Sequence, residues 1–354
     1  MTRRVQVVEP TLENFAGHCY SLVASLCRAT DVAMDIWAAR GAESFDFRAE
    51  CLVHPFFRRR VRLFQQLGLY RRLIREDDPI VITTARRSDL ILLNLIAPGR
   101  LLQNRVFLYF HWFRESPKRF RFLQKIAAHQ PNLVIFGTTA SVVDLFQRAG
   151  FRYVDLLPYP APPAAERDGD VAFRRLLYAG AARRDKGFRQ VVDLVALLAD
   201  RGERIPIAVQ VSPEHFGKYD MGTIEDIKRL RGIGYAHLEL LNRTLAPEEY
   251  AALFSGSICL QPYDRADFRD RVSGVTLDAL ARGCPVITTA GTWMAAQIES
   301  PKAGIALESV TAESLLDAAK AILGSYAGFR TSALEAAWAR NRETWTPLTR
   351  LLDL

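Results

Sequence analysis

The chain has 354 residues, of which 49 % are hydrophobic and 24 % charged, and its formal net charge is +8 at pH 7. This length predicts two domains, and the longest apolar run, LILLNLIA, falls short of the roughly 20 residues of a membrane-spanning helix and fits a buried strand or helix better. The cysteines lack CxxC or zinc-ligand spacing, which favours reduced thiols in a cytoplasmic protein; they are Cys19, Cys27, Cys51, Cys259 and Cys284.

Apolar runs alternate with amphipathic stretches along the first half, which predicts βαβ units around a mainly parallel sheet. A strand is predicted for RVQVVEP at 4–10, followed by a glycine-containing loop, ENFAGH, and a helix, CYSLVASLCRA. Later strands are predicted for PIVITT, RVFLYFHW and NLVIFGT. The first half is therefore expected to be one doubly wound α/β domain.

Positive charge is concentrated in residues 1–157, where 23 basic and 14 acidic residues give +9, against 24 and 25 in the remainder, which give −1. Residues 55–75, PFFRRRVRLFQQLGLYRRLIR, hold seven arginines and no acid. Apolar side chains recur there at helical spacing, at Phe56, Leu63, Leu67, Tyr70 and Ile74.

This basic stretch predicts an amphipathic helix that lies on an anionic membrane leaflet, where each cation contributes about 1 kcal/mol. The cations would be Arg58, Arg59, Arg60, Arg62, Arg71 and Arg72. Residues 113–125, FRESPKRFRFLQK, form a second basic, Phe-rich patch. A core helix with a solvated arginine face and a nucleic-acid surface are the alternatives, although no recognised nucleic-acid module accompanies the stretch.

The pattern of strands and helices restarts after a proline-rich segment. Residues 157–170, LPYPAPPAAERDGD, contain four prolines and predict a linker. Strands are then predicted for RRLLYAG, IPIAVQV, ICLQPY and PVITT, and a helix for RQVVDLVALLADRG that ends at Gly202. Two doubly wound domains joined by a hinge predict a ligand in the cleft between them, at the carboxyl ends of the strands.

A loop and helix in the second half combine a glycine with two acids. In RDRVSGVTLDALARGCPVIT, residues 269–288, a helix is predicted to begin near Gly274, with Asp270 before it and Asp278 one turn inside. The free amides of a helix start bind diphosphate, and the two carboxylates would accept hydrogen bonds from sugar hydroxyls on either side. Alternatively, Asp270 or Ser273 only caps the helix and Asp278 is solvated.

A basic loop supplies the charge that a diphosphate requires. YAGAARRDKGF, residues 178–188, places Arg183, Arg184 and Lys186 between a strand and a helix. Lysine offers phosphate a compact charge and arginine a bidentate fork. An ordinary solvated basic loop is the alternative.

The order of strand, G-x5-KG loop, helix and D-x7-D-A-L-A-x-G-C-P-V-I resembles the second domain of retaining GT-B glycosyltransferases with a Glu-x7-Glu motif, those similar to glycosyltransferase family 4. The resemblance covers residues 172–325. It implies that Asp270 lies near the transferred sugar, that Asp278 holds the ribose and that Lys186 contacts the phosphates. The diphosphate would be bound by the loop amides of Arg271, Ser273, Gly274 and Val275.

Two positions depart from the family pattern: both glutamates are aspartates, and Ala181 replaces an arginine for which Arg183 or Arg184 would substitute. In the first domain the resemblance implies that Gly17 approaches the donor phosphate and that His111 hydrogen-bonds the donor sugar. The backbone near Leu241 and Asn242 would flank the base. A satisfied strand-end histidine and a simple turn are the alternatives for His111 and Asn242. No metal cofactor is expected.

The resemblance thus implies an α/β fold of two Rossmann-like domains facing across a cleft, the GT-B fold. An acceptor domain would span residues 1–157, a linker 158–174 and a donor domain 175–325, with C-terminal helices at 326–354 crossing back. The implied activity is a retaining glycosyltransferase of hexosyltransferase type. It would transfer sugar from a nucleoside-diphosphate sugar to a glycan, lipid-linked or other acceptor, in the cytoplasm or on the inner face of the plasma membrane. A nucleotide-sugar 2-epimerase and a non-catalytic scaffold of the same fold are the alternatives.

Overall fold

The computed structural model describes residues 4–14, 18–45, 47–97, 99–103, 105–166, 171–212, 219–243, 245–300, 302–341 and 345–352. The chain forms two compact units, divided between Pro160 and Ala161, and the last helix belongs to the first unit. In the described part of the chain, no helix is both long enough and apolar enough to cross a bilayer.

Both units are built from strands that alternate with helices. The strands are β1 (Val5–Glu9), β2 (Met34–Ala39), β3 (Cys51–Phe57), β4 (Ile80–Ile82), β5 (Val106–Phe110), β6 (Val134–Gly137), β7 (Tyr153–Leu156), β8 (Arg175–Tyr178), β9 (Ile207–Gln210), β10 (Leu238–Leu241), β11 (Ser257–Gln261), β12 (Val286–Thr289) and β13 (Gly304–Leu307). The helices are α1 (His18–Ala29), α2 (Arg62–Leu73), α3 (Arg87–Ile96), α4 (Pro117–His129), α5 (Ala140–Arg148), α6 (Phe188–Asp200), α7 (Met221–Gly232), α8 (Pro247–Phe254), α9 (Arg265–Phe268), α10 (Gly274–Ala281), α11 (Trp293–Ile298), α12 (Ala312–Leu323), α13 (Tyr326–Asn341) and α14 (Thr346–Leu352).

Each unit has one parallel sheet. The first sheet has the order β3-β2-β1-β4-β5-β6-β7 and the second β10-β9-β8-β11-β12-β13. The central strands are continuous apolar runs, such as VFLYF in β5, because helices cover both faces of a parallel sheet. The predicted α/β class with parallel sheets is confirmed.

The direction of winding reverses once in each sheet. The reversal falls between β1 and β4 in the first sheet and between β8 and β11 in the second. At such a reversal the loops that follow the two strands diverge to opposite faces and leave a crevice at the carboxyl edge, which is where ligands bind in open α/β sheets. The residues after β1, β4, β8 and β11 are therefore the first places to look for a site.

The basic stretch differs from its prediction. Phe56 and Phe57 belong to β3, which pairs with β2, and the helix begins only at Arg62. Tyr70, one of the apolar side chains at helical spacing, is fully buried against the core of the first unit. The prediction of one helix over the whole stretch is wrong, because strand pairing at the edge of the sheet outweighs a helical spacing that Phe56 matches by chance.

Candidate functional site

The second unit brings several of the predicted residues together at the reversal between β8 and β11. Gly180 follows β8 with a φ of +94°, and its N–H donates to Oε1 of Gln210 at 2.7 Å. A Cβ added to this glycine would lie 3.4 Å from Nζ of Lys186 and 3.4 Å from Cγ2 of Val275. The lysine of one loop and the start of α10 therefore meet over Gly180.

Gly187 explains why a glycine follows this lysine. Its φ is +66°, a left-handed conformation that only glycine adopts without strain, and an added Cβ would overlap the carbonyl oxygen of Pro262. The N–H of Asp264 donates to the carbonyl of Asp185 at 2.9 Å. Close backbone contact thus fixes the loop after β8 against the loop after β11.

The basic loop carries an internal counter-charge. Nε of Arg183 donates to Oδ1 of Asp185 at 2.8 Å, and Nη1 of Arg271 lies 4.0 Å from Oδ2 of the same carboxylate. Arg184 is directed to α7 instead, where its Nε lies 3.8 Å from Oδ2 of Asp226. Of the two arginines expected to substitute at Ala181, only Arg183 is therefore beside the lysine.

Lys186 is held in an environment that disfavours its charge. Burial, and next the charge of Arg183, lower the pKa of its ammonium group to about 8. Its Nζ lies 5.4 Å from the ring centroid of Tyr263, a cation–π contact that partly offsets the loss of solvation. An anion that binds here would restore the solvation that burial removes.

The start of α10 is open. Ser273 is the N-cap residue, but its side chain makes no capping hydrogen bond, so the interpretation of Ser273 as a side-chain cap is wrong. Apart from its chain neighbours and its own helix, a Cβ added to Gly274 would meet no atom of the described residues within 4 Å. The first amides of a helix lack partners in the preceding turn, and Gly274 is exposed next to Val275, whose Cγ2 lies with Nζ of Lys186 over Gly180.

Asp278 lies one turn further along α10. Tyr250 of α8 hydrogen-bonds its carboxyl group, and burial raises the pKa of that group to about 7. Asp278 is therefore not a solvated surface acid. Asp270 is partly buried in the loop that leads into α10.

Asn242 and His111 lie outside the lysine cluster. Asn242 is exposed and follows β10, an edge strand that β9 separates from β8, so it does not join the lysine cluster. Gly17 lies outside the described residues. His111 follows β5 in the first unit, where its Nε2 lies 2.9 Å from the carbonyl oxygen of Thr83. A carbonyl oxygen only accepts, so the ring proton is on Nε2.

The reversal in the first sheet holds a polar network that sequence reasoning missed. Glu9, at the end of β1, is fully buried and accepts from the hydroxyl of Thr83 at 2.8 Å and from those of Thr11 and Thr84. Asp89 is 2 % exposed and accepts from Tyr70 at 2.7 Å. The signal in the sequence was an acid directly after an apolar strand.

This network borders a polar pocket of the first unit, whose lining includes Glu9, Thr11, Arg62, Leu63, Gln66, Thr84, Arg86 and Asp89. Hydroxyls, two carboxylates and two arginines suit a ligand that bears several hydroxyl groups. Within the described ranges no group of three His, Cys, Asp or Glu side chains is arranged to hold a metal ion, and metal independence stays a prediction.

No protein-family model and no curated protein matches the chain. Solved structures match it over nearly its full length. A sucrose-phosphate synthase from Thermosynechococcus elongatus shares 13 % identity at a TM-score of 0.72, with 99 % of this chain and 97 % of that chain covered. Anabaena HepE, in complex with UDP-glucose, shares 11 % identity at a TM-score of 0.68, with 99 % of this chain and 98 % of that chain covered.

WaaG, a glycosyltransferase involved in lipopolysaccharide biosynthesis, shares 14 % identity at a TM-score of 0.61, with 99 % of this chain and 98 % of that chain covered. At such identities the likeness concerns the fold. The two parallel sheets and their surrounding helices are those of these glycosyltransferases, and the chain has the GT-B fold.

Proposed function

We propose that the protein is a glycosyltransferase that binds a nucleoside-diphosphate sugar at the start of α10 and transfers its sugar to a hydroxyl-bearing acceptor. One observation carries the proposal. Lys186, the open helix start at Gly274 and the partly buried carboxyl of Asp278 lie together at the strand reversal of the second unit.

Each group matches a part of such a donor. The diphosphate would contact the amides at the start of α10 and the ammonium of Lys186, with Arg271 beside them. Asp278 would accept hydrogen bonds from the ribose, one helical turn away. Asp270, in the loop that leads into α10, would face the transferred sugar. The complex of the structural neighbour HepE with UDP-glucose supports this class of donor.

The chemistry would need no side-chain base. The bond between the anomeric carbon and the diphosphate breaks, the acceptor oxygen bonds to the same face of that carbon, and the acceptor proton passes to the departing diphosphate. Lys186 and the helix amides would stabilise the negative charge of the leaving group, which is the role a metal would otherwise fill. Retention of configuration is the outcome of this same-face route.

The acceptor would bind to the first unit. The pocket beside Glu9 offers hydroxyl groups and carboxylate oxygens to a glycan or lipid-linked sugar, and Arg62 and Arg86 would contact an anionic group. His111 would hydrogen-bond the transferred sugar from the end of β5.

A thermal-shift panel of UDP, GDP, ADP and dTDP sugars tests the donor site. We expect one of them to raise the melting temperature of the wild type and of Lys228→Ala, an exposed lysine of α7, but not of Lys186→Ala. Stabilisation that persists in Lys186→Ala would contradict the assignment.

Product analysis separates the alternatives. With donor alone, a 2-epimerase would convert the sugar, whereas a transferase requires an acceptor for rapid turnover. A scaffold would bind nucleotide, or none, without turnover on any acceptor. Transfer to a glycan or glycolipid with retained anomeric configuration is the expected result.

A further inference from the structure

Three helices of the first unit form a continuous outer layer. The chain proceeds from β3 to β4, β5 and β6 in one direction across the sheet, and right-handed crossovers place α2, α3 and α4 on the same face. Contacts between α2 and α3 and between α3 and α4 confirm that they are neighbours. We call the solvent side of this layer the α2–α4 face.

The α2–α4 face exposes large apolar side chains. Phe64, in the first turn of α2, is 79 % exposed, the highest value for a large apolar side chain in the described ranges. Leu63 precedes it and is also exposed. Ile91 and Leu95, four positions apart, are exposed on the outer side of α3. Of the ten exposed large apolar side chains in those ranges, only Met221 belongs to the second unit. The apolar exposure is therefore specific to the first unit.

Cations border these apolar residues on both sides. Arg58, Arg59 and Arg60 form an exposed turn before α2, and none of the ion pairs in the described part of the chain involves them. Three exposed cations on α4, at positions i, i+3 and i+7, lie opposite its buried residues; they are Lys118, Arg121 and Lys125.

Nearby acids are already engaged. Glu76 lies 3.5 Å from Nε of Arg72, and Glu115 and Asp144 both pair with Arg148, at 3.0 Å and 2.7 Å. The outer side of the layer therefore keeps a positive field around an apolar centre.

The arginine turn is fixed by one side chain. Gln65 accepts at Oε1 from the N–H of Arg58 at 2.7 Å, and its Nε2 donates to the carbonyl of Phe56 at 2.8 Å. The N–H of Val61 closes the turn on the carbonyl of Arg58 at 3.2 Å. These hydrogen bonds fix the three cations of the turn next to Phe64 at the start of α2.

We propose that the α2–α4 face docks on an anionic lipid bilayer, with the arginine turn and the α4 cations at the lipid phosphates and Phe64 and Leu63 entering the interface. A bilayer offers a charged layer directly above an apolar one, the order in which this surface presents its groups. The phosphates of a nucleic acid would form ion pairs with the arginines, but the apolar side chains would stay in contact with water; these are Leu63, Phe64, Ile91 and Leu95. This docking does not depend on the donor site.

Vesicle flotation tests the electrostatic part. Wild type is expected to bind phosphatidylglycerol-containing vesicles, to bind pure phosphatidylcholine weakly, and to detach at high salt. At about 1 kcal/mol per cation, changing Arg58, Arg59 and Arg60 to Ser should weaken binding on the order of a hundredfold. The matched control changes three exposed arginines of the second unit to Ser and should bind like wild type; they are Arg201, Arg204 and Arg231.

A fluorescent label tests insertion. The five native cysteines are buried, so an environment-sensitive thiol probe reports selectively on Phe64→Cys. We expect a blue shift of this probe with anionic vesicles and none with the label at Met221→Cys, which is 72 % exposed in the second unit. Free glycerol phosphate should not reproduce the shift.

Three results would overturn the proposal. The first is equal vesicle binding by the arginine-turn variant and the control variant, and the second is an unshifted emission of the probe at position 64. The third is tight oligonucleotide binding that the arginine-turn variant loses and the control variant keeps, with no vesicle binding by wild type or by either variant. The last result would assign the surface to nucleic acid. Melting temperatures of all variants are compared first, and the exposed positions are expected to leave them within 2 °C or so of wild type.

Discussion

Nζ of Lys186 lies 5.4 Å from the ring centroid of Tyr263, so a cation from the loop after β8 rests on an aromatic ring from the loop after β11. The two loops meet through this contact and through the backbone at Gly187. Burial and Arg183 disfavour the lysine charge. The site is therefore under electrostatic strain that a bound anion would relieve.

Lys186→Met should stabilise the protein while abolishing nucleotide binding. The pKa of Lys186 falls from 10.5 to about 8 on folding. Keeping this side chain charged in the folded state therefore lowers the stability of the protein below pH 8, and this loss disappears as pH rises toward 10.5. We expect a gain of about 1–3 kcal/mol at pH 7 and little gain near pH 10.5, measured by urea unfolding. A less stable variant at pH 7 would contradict this environment for the lysine.

Donor affinity should be greatest between pH 7 and 8. Below about 7 Asp278 becomes protonated and accepts fewer hydrogen bonds, and above about 8 Lys186 loses its charge. Titration calorimetry with the stabilising nucleotide sugar should show both limbs. Lys186→Arg should remove the alkaline limb because arginine stays charged, and Asp278→Asn should remove the acid limb. A flat profile for wild type would exclude both residues from the donor site.

Asp278→Asn should also change the pH dependence of stability. Burial raises the folded pKa from 3.8 to about 7, so the wild type loses stability as pH rises between these values and stays at the lower level above 7. The neutral amide avoids this loss, and the variant should gain about 2–4 kcal/mol over wild type at pH 8 but little at pH 4. Asp317→Asn, at an exposed position of α12, should show no such trend.

Gly187→Ala should disrupt the contact between the two loops. The added Cβ would overlap the carbonyl oxygen of Pro262 in addition to straining a φ of +66°. Gly202 is the matched control, since its φ is +62° and, its chain neighbours aside, no atom of the described residues lies within 4 Å of an added Cβ. We expect a loss of about 1 kcal/mol for Gly202→Ala and of 3 kcal/mol or more, on the order of an overpacked core, for Gly187→Ala. Equal losses in urea unfolding would show that the loops are not in close contact.

His111→Gln should separate a role in transfer from a role in folding. The glutamine amide can still donate to the carbonyl of Thr83, so the free energy of unfolding should change by less than about 1 kcal/mol. Nucleotide affinity should be unchanged because His111 belongs to the first unit, while the transfer rate should fall roughly tenfold to a hundredfold. A wild-type transfer rate would leave His111 as a satisfied strand-end histidine.

The local sequence pattern was sufficient to predict a strand or a helix start where one kind of residue pattern dominated. β1, β5 and the start of α10 at Gly274 follow from apolar runs and from the Ser-Gly turn. The convergence of Lys186 with Val275 followed from the family resemblance and from the rule that loops after neighbouring parallel strands share one edge. The same rule would have drawn attention to Glu9, which ends β1 at the winding reversal of the first sheet.

Pairwise contacts between distant segments could not be predicted. Nothing near Asp278 in the chain indicates that Tyr250 hydrogen-bonds its carboxyl, or that Asp185 would bind Arg183 and leave Arg184 to α7. The basic stretch predicts one helix because period and charge do not reveal that Pro55 and its neighbours pair with β2 at the sheet edge.

Gln65 ties the arginine turn to the end of β3 before any surface is encountered. A segment that is ordered in advance loses little conformational entropy on contact, so more of its interaction energy appears as affinity. In the proposed docking, membrane affinity would be coupled to Gln65, a residue that need not touch lipid, and a change at Gln65 would alter how long the protein stays at a surface without changing its charge.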